Sequence, residues 1–167
     1  RGETVRARKT FSIHRAGSRP DYRLDAQLDV FVVDNAGGVR AYWERNAGVW
    51  QGPAGLTPQS YAPKGADLSA MYHGAGSAQL DLFVVNSSGA VAGMWVSGAT
   101  PWIGPYALSP NGVAVAGAKL SATLQWSAGG VNGWGHDQVD WFVVGKNGLL
   151  LSGAIGAGPV FGPVPIR

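Results

Sequence analysis

The amino-acid sequence predicts an all-β, propeller-like fold of three four-stranded antiparallel blades, and the first reason is that the chain repeats itself. The segment from Gln27 to Pro58 aligns without a gap on Gln79 to Pro110, at a constant offset of 52 residues, and a third copy starts at Gln138. Such self-similarity is typical of repeat architectures, in which neighbouring units complete one another's hydrophobic core. We therefore treat residues 1–167 as a single repeat domain.

The second reason is the sequence at the centre of each repeat, where Phe-Val-Val begins two residues after an Asp. The recurring residues of the first repeat are Asp29, Phe31, Val32, Val33, Gly37, Val39, Trp43, Trp50, Gly52, Pro53 and Leu56. The Phe-Val-Val strand is apolar on both faces, so it needs cover above and below. Sheets stacked face to face around an axis supply that cover, as in a β-propeller.

Each repeat is predicted to form four short strands. In the second repeat we predict them at Leu68 to His73, Leu80 to Val85, Ala90 to Val96 and Trp102 to Leu108. Asn86 to Gly89 lies between the second and third of these strands, where Gly can take the positive φ of a tight hairpin turn.

The predicted blades span about residues 9–59, 66–110 and 117–167. Three blades do not close a propeller, for which four is the usual minimum, so we expect closure by oligomerisation or as part of a longer propeller. Unclosed end blades would expose apolar residues, and we expect Val30, Val32 and Val143 among them. The alternative is a β-trefoil, which three four-stranded repeats complete, but Gln51 follows Trp50 and the Gln-x-Trp pattern of sugar-binding trefoils is missing.

Composition excludes several classes of protein. The chain has no Cys, which rules out disulfides and thiolate metal sites. No apolar run is long enough for a transmembrane helix, so we expect no membrane insertion. The chain opens Arg-Gly-Glu-Thr-Val-Arg, without Met or a signal-peptide pattern, which predicts a processed, excised or truncated chain. Basic residues concentrate in the first 23 positions, favouring a solvated terminus over a nucleic-acid partner.

The repeats resemble those of PLL-type bacterial lectins, which are propellers whose blades carry a Leu-Asp-x-Phe-Val core followed by Trp on the third and fourth strands. The first repeat has this pattern as Leu28 to Val33 with Trp43 and Trp50, and the second as Leu80 to Val85 with Trp95 and Trp102. The third departs from it, because Ala154 stands near the place of Trp95 and Phe161 replaces Trp102 after a one-residue slip. The resemblance implies glycan ligands and an extracellular or cell-surface location.

A second propeller family also fits in part. The spacing of Asp21, Asp25 and Asp29 resembles the calcium loops of integrin-like FG-GAP repeats. Calcium requires several oxygen ligands, yet Arg23 takes an intervening ligand position. We therefore predict no metal and no cofactor.

The candidate ligand-binding residues are mostly aromatic, because the apolar C–H face of a pyranose stacks on a ring while nearby polar groups bind its hydroxyls. They are Trp43, Trp50, Trp95, Trp102, Trp134, His136, Asp137 and Asn132. The last four belong to one loop, which places an aromatic ring and three hydrogen-bonding groups within six residues. For each Trp the alternative is packing between blades.

No residue is predicted to be catalytic. Asp29, Asp81 and Asp140 recur in every repeat, whereas a catalytic acid is needed once per site, so we interpret them as structural. Nucleophile-elbow, phosphate-loop and zinc-protease motifs are absent. The sequence thus predicts a non-catalytic carbohydrate-binding module; the alternative is a propeller scaffold for protein contacts within a larger secreted or surface protein.

Overall fold

The protein is described by a computed structural model over residues 13–15, 27–45, 48–72, 79–97, 100–125, 138–156 and 160–166. These residues form twelve β-strands and no helix. Hence no membrane-spanning helix occurs within these ranges.

The strands form three four-stranded antiparallel sheets, and each sheet takes its strands from one repeat only. The first holds β1 (Ile13–Arg15), β2 (Gln27–Val33), β3 (Val39–Arg45) and β4 (Gln51–Gly55). The second holds β5 (Leu68–Tyr72), β6 (Gln79–Val85), β7 (Val91–Ser97) and β8 (Ile103–Ala107). The third holds β9 (Leu120–Gln125), β10 (Gln138–Val144), β11 (Leu150–Ile155) and β12 (Phe161–Pro165). Consecutive strands are neighbours in every sheet, so the predicted all-β, propeller-like fold is confirmed and no sheet mixes repeats as a trefoil barrel would.

Strand β6 lies at the centre of the described structure, with a sheet packed on each of its faces. Because successive side chains of a strand point to opposite faces, Leu80, Leu82 and Val84 pack toward the first sheet. Phe83 and Val85 pack toward the third. All five side chains are buried, which explains why the strand is apolar throughout.

Facing residues of the second and third strands compensate one another in volume. Leu82 of β6 pairs with Met94 of β7, whereas at the equivalent place Trp141 of β10 pairs with Gly153 of β11. A Cβ built on Gly153 would overlap the Trp141 indole, so the large ring occupies the space that a side chain at position 153 would need.

In the first two sheets the hairpin turn between the second and third strands is held by a side-chain oxygen at the first turn position. Asp34 Oδ1 accepts hydrogen bonds from the N–H groups of Ala36 and Gly38, and Asn86 does the same in the second sheet. Burial by itself raises the pKa of Asp34, but these bonds and the adjacent Arg40 guanidinium hold that pKa below its usual value.

Each linker between two sheets is hydrogen-bonded to the hairpin turn of the preceding sheet and to that of the following sheet. The N–H of Ala62 donates to the carbonyl of Gly37 in the preceding turn, and the N–H of Ser87 in the following turn donates to the carbonyl of Tyr61. The second linker makes the same pair of bonds through Ala114 and Val113. Each linker therefore fixes one sheet against the next by main-chain hydrogen bonds.

Two expectations about the ends of the stack need correction. Val143 is not on an open face, because it points into the core shared with the second sheet; its neighbour Val144 is exposed instead. Val32 is buried as well. A strand apolar on both faces gives no sequence signal for which residues point outward. In β10 the exposed residue, Val144, faces away from the second sheet, whereas Val32 of β2 also faces away from the second sheet and is nevertheless buried.

We predict that Gly89→Ala destabilises the protein much more than Gly65→Ala. Both glycines have positive φ, 73° and 68°, which costs an L-residue about 1 kcal/mol. A Cβ at position 65 meets nothing within 4 Å, whereas at position 89 it would collide with the carbonyl oxygen of Ala114. Relieving that collision adds roughly 1–3 kcal/mol. Chemical denaturation of both variants measures the difference, and equal losses would show that the linker yields freely.

Candidate functional site

Trp43 and Trp95 occupy the same register position in the first and second sheets. Trp43 pairs with Asp29 across β2 and β3, and Trp95 pairs with Asp81 across β6 and β7. Two residues further along the same face, Phe31 is in the core shared with the second sheet and Phe83 in the core shared with the third. Both indoles are partly exposed and therefore lie at the edge of the contact between successive sheets.

The third sheet has no ring at this position. Ala154 pairs with Asp140 as Trp95 pairs with Asp81, so Ala154 takes the place of Trp95, as expected from the sequence. Phe142, the counterpart of the core residues Phe31 and Phe83, is only partly buried, because no sheet among the described residues covers that face.

A polar pair adjoins each of these positions. The side-chain amide of Gln27 donates to Asp29 Oδ1 at 2.7 Å, that of Gln79 to Asp81 at 2.9 Å, and that of Gln138 to Asp140 at 2.6 Å. Asp29 and Asp81 are buried. The repetition in all three sheets fits the structural role predicted for these aspartates, since each orients a Gln at the start of its strand.

Arg45 extends the polar pair of the first sheet toward solvent. Its Nε donates to Gln27 Oε1 at 2.9 Å, and the two residues face each other across β2 and β3. This register places them on the same sheet face as Trp43. The Arg45 guanidinium keeps further N–H donors for a hydroxyl ligand, so an apolar ring and hydrogen-bonding groups adjoin in one place.

In the second sheet the aromatic surface is enlarged by Tyr106. Its ring stacks on Trp95 with centroids 5.3 Å apart and an interplanar angle of 28°. Tyr106 is 54% exposed. A stack covers one face of each ring, so the pair stays open to a flat apolar ligand while holding the indole in place.

Trp102 has a different role from Trp95. It lies just before β8 and packs edge-to-face on Phe31 of the first sheet, with centroids 5.5 Å apart and an interplanar angle of 80°. It therefore belongs to the packing between the first two sheets. Trp50, the equivalent residue of the first repeat, is exposed.

The one-residue slip between Phe161 and Trp102 that the sequence predicts is present in the strand register. Phe161 pairs with Ala154 as Ile103 pairs with Trp95, so Phe161 is the counterpart of Ile103 and Val160 that of Trp102. The shift follows from the strand register, which aligns Gly162 and Pro163 with Gly104 and Pro105.

Several predicted residues lie outside the described part of the chain. These are the loop residues Asn132, Trp134, His136 and Asp137, together with Asp21 and Asp25 of the calcium-like spacing. Within the described ranges no three His, Asp or Glu side chains come together as metal ligands.

Sequence reasoning missed three of the residues beside the tryptophans. Gln27 recurs as Gln79 and Gln138, so its position in the repeat was a usable signal. Arg45 and Tyr106 are not repeated, and only strand pairing brings them next to Trp43 and Trp95.

We predict that Trp102→Ala and Trp95→Ala differ in their effect on stability. Trp102 fills the core between two sheets, so its loss costs about 2–4 kcal/mol, slightly below the value for a fully buried Trp. Trp95 loses chiefly its contact with Tyr106, worth about 1 kcal/mol. Thermal and denaturant unfolding of the two variants provide the comparison. Equal destabilisation would make Trp95 a packing residue and remove it from the candidate site.

Comparison with solved structures places this fold among bacterial lectins. The BP39L lectin from Burkholderia pseudomallei is similar over 84% of this chain, with 38% sequence identity and a TM-score of 0.73. The chain spans only 38% of the length of that lectin. A fucose lectin from Kordia zhangzhouensis, solved in complex with methyl-fucoside, is similar over 93% of this chain and 100% of its own, with 10% identity and a TM-score of 0.63. No protein-family model matches the chain, and no curated protein matches it. The protein thus shares the fold of these lectins.

Proposed function

We propose that the protein is a carbohydrate-binding module that acts without catalysis and binds glycans in the clefts between successive sheets. The observation that carries this proposal is the equivalent placement of Trp43 and Trp95, each partly exposed at the edge of the contact between two sheets and each beside a Gln–Asp pair. The described chain thus offers two such clefts, one between the first and second sheets and one between the second and third.

The chemistry of the clefts suits a sugar ring. An indole offers a flat apolar surface to the C–H face of a pyranose, while the Gln27 and Arg45 side chains supply hydrogen-bonding groups for its hydroxyls. Trp102 supports the first cleft from the packing side and does not contact the ligand. The third sheet, with Ala154 at the equivalent place, contributes no ring of its own.

The two lectin structures support the substrate class. The Burkholderia lectin is 38% identical to this chain over the aligned part, and the Kordia lectin was solved with methyl-fucoside bound. Methyl-fucoside is therefore the first probe to test, followed by a glycan array. A glycan ligand also agrees with an extracellular or cell-surface location, which we propose on that basis.

We predict that Trp43→Ala and Trp95→Ala each remove one of two binding sites per chain. Loss of the stacking ring weakens its own cleft at least tenfold, equivalent to about 1.4 kcal/mol, and leaves the other cleft unchanged. Titration calorimetry with the best array ligand measures the stoichiometry, which falls from two to one in either variant. The double variant binds no glycan.

Phe161→Ala is the matched control, because it removes an exposed ring from the sheet that lacks the platform Trp. It leaves the stoichiometry at two, with the melting temperature of all variants recorded in parallel. A wild-type protein that binds no glycan on the array, or Trp variants that bind as well as wild type, would contradict the proposal and favour the protein-scaffold alternative.

A further inference from the structure

The outer face of the third sheet carries the same apolar residues that the first two sheets bury against their neighbours. We call it the open face of the third sheet and define it by Phe142, Val144, Leu150 and Ile166. The face points away from the second sheet, because Phe142 and Val144 alternate with Val143, which packs into the shared core. In the first two sheets the equivalent residues are buried or partly buried under the following sheet, and the third sheet has no such cover among the described residues.

Val144 is the counterpart of Val33 and Val85, each the last residue of its second strand. Val33 is 9% exposed and Val85 is fully buried, each under the following sheet, whereas Val144 is 54% exposed. Leu150, which pairs with Val144, is likewise 44% exposed. Its counterparts Val39 and Val91 are fully buried.

Ile166 follows the same pattern. Its N–H donates to the carbonyl of Leu150, as the N–H of Leu108 donates to that of Val91. Leu108 is buried in the core shared with the third sheet, but Ile166 is exposed. The open face is therefore built for a following sheet.

At the opposite end of the stack, no preceding sheet among the described residues covers the outer face of the first sheet. We define the open face of the first sheet by Val30, Tyr42 and Trp50. Val30 and Tyr42 pair across β2 and β3 and point away from the second sheet, and Trp50 directly precedes β4, the edge strand of the first sheet. Trp50 is 48% exposed, whereas its counterpart Trp102 packs edge-to-face on Phe31 of the preceding sheet. Phe142 is the counterpart of Phe31, so Trp50 and Phe142 are the two halves of a contact that the chain makes internally once.

The charge of Arg40 does not oppose docking at the first sheet. Arg40 is opposite Val32 on this face, and its Nε donates to Asp34 at 2.7 Å. Because that charge is already paired within the sheet, an incoming apolar surface meets no unpaired cation there.

From these equivalences we propose that the open face of the third sheet binds the open face of the first sheet of a second copy of this chain, with Trp50 of the second copy packed on Phe142. The arrangement repeats between chains the relation that each sheet has to the next within the chain. It is a head-to-tail interface, because different surfaces of the two copies meet. The proposal does not depend on glycan binding.

The first test measures molecular mass in solution by light scattering or sedimentation. Wild-type protein has at least twice the mass of one chain at micromolar concentration, and Val144→Glu reduces it to that of one chain. Val115→Glu is the matched control: Val115 is similarly exposed but lies in the linker between the second and third sheets, and this variant retains the wild-type mass. Circular dichroism establishes that both variants are folded.

The second test distinguishes a head-to-tail interface from one between identical faces. Trp50→Glu disables the first sheet's open face and Val144→Glu disables that of the third, so each variant alone has the mass of one chain. Mixed together, they form a dimer through the one intact face that each retains. A wild-type protein with the mass of one chain, or a mixture that stays monomeric while wild type assembles, would overturn the proposal.

Discussion

The constraint on which this structure depends is that the second strand of each repeat is apolar on both faces. Where such a strand lies at the surface of the stack, one of its apolar faces is exposed to water, which is unfavourable. It requires a sheet above and a sheet below, and β6 obtains both within the chain. Four-stranded sheets, short hairpins and linkers that bind the turns on either side all serve to place one copy of this strand over the next.

The same stacking determines where the residues of the proposed glycan site lie. The residues at the end of the third strand are at the edge of the contact between two successive sheets. Trp43 and Trp95 share this location because they share a register, not because either has a special loop. Polar residues from the start of the second strand reach the same place, since antiparallel pairing sets Gln27 opposite Arg45. The aromatic ring and the polar groups of the proposed site thus come from the same β-hairpin.

The sequence was sufficient for the features that repeat. The hairpin glycine, the Phe-Val-Val strand and the offset of 52 residues located the four strands of the second repeat to within one residue of β5 to β8 in the structure. What it did not specify was the direction of side chains and the environment of equivalent residues. Val143 and Val144 are chemically alike, and only the position of the second sheet decides which is buried. Trp50 and Trp102 occupy equivalent places in their repeats, yet one is packed and the other exposed, because burial between sheets depends on which neighbour is present. Tyr106 has no counterpart in the other repeats, so no repeat analysis could pair it with Trp95.

The exchange of volume between Trp141 and Gly153 has a consequence for how such a chain diversifies. A repeat protein that grows by duplication begins with interchangeable units, and any unit can then follow any other. In the third unit the large residue is on the second strand and the small one on the third, so these strands no longer pair well with strands of another unit. Pairing β10 with β7 would set Trp141 against Met94, and pairing β6 with β11 would set Leu82 against Gly153 and leave a void. Recombination that separates these two strands is then penalised, while exchange of whole units stays possible. The hairpin of the second and third strands, with its pairing of residue volumes, is then the smallest segment that can be exchanged without loss of packing.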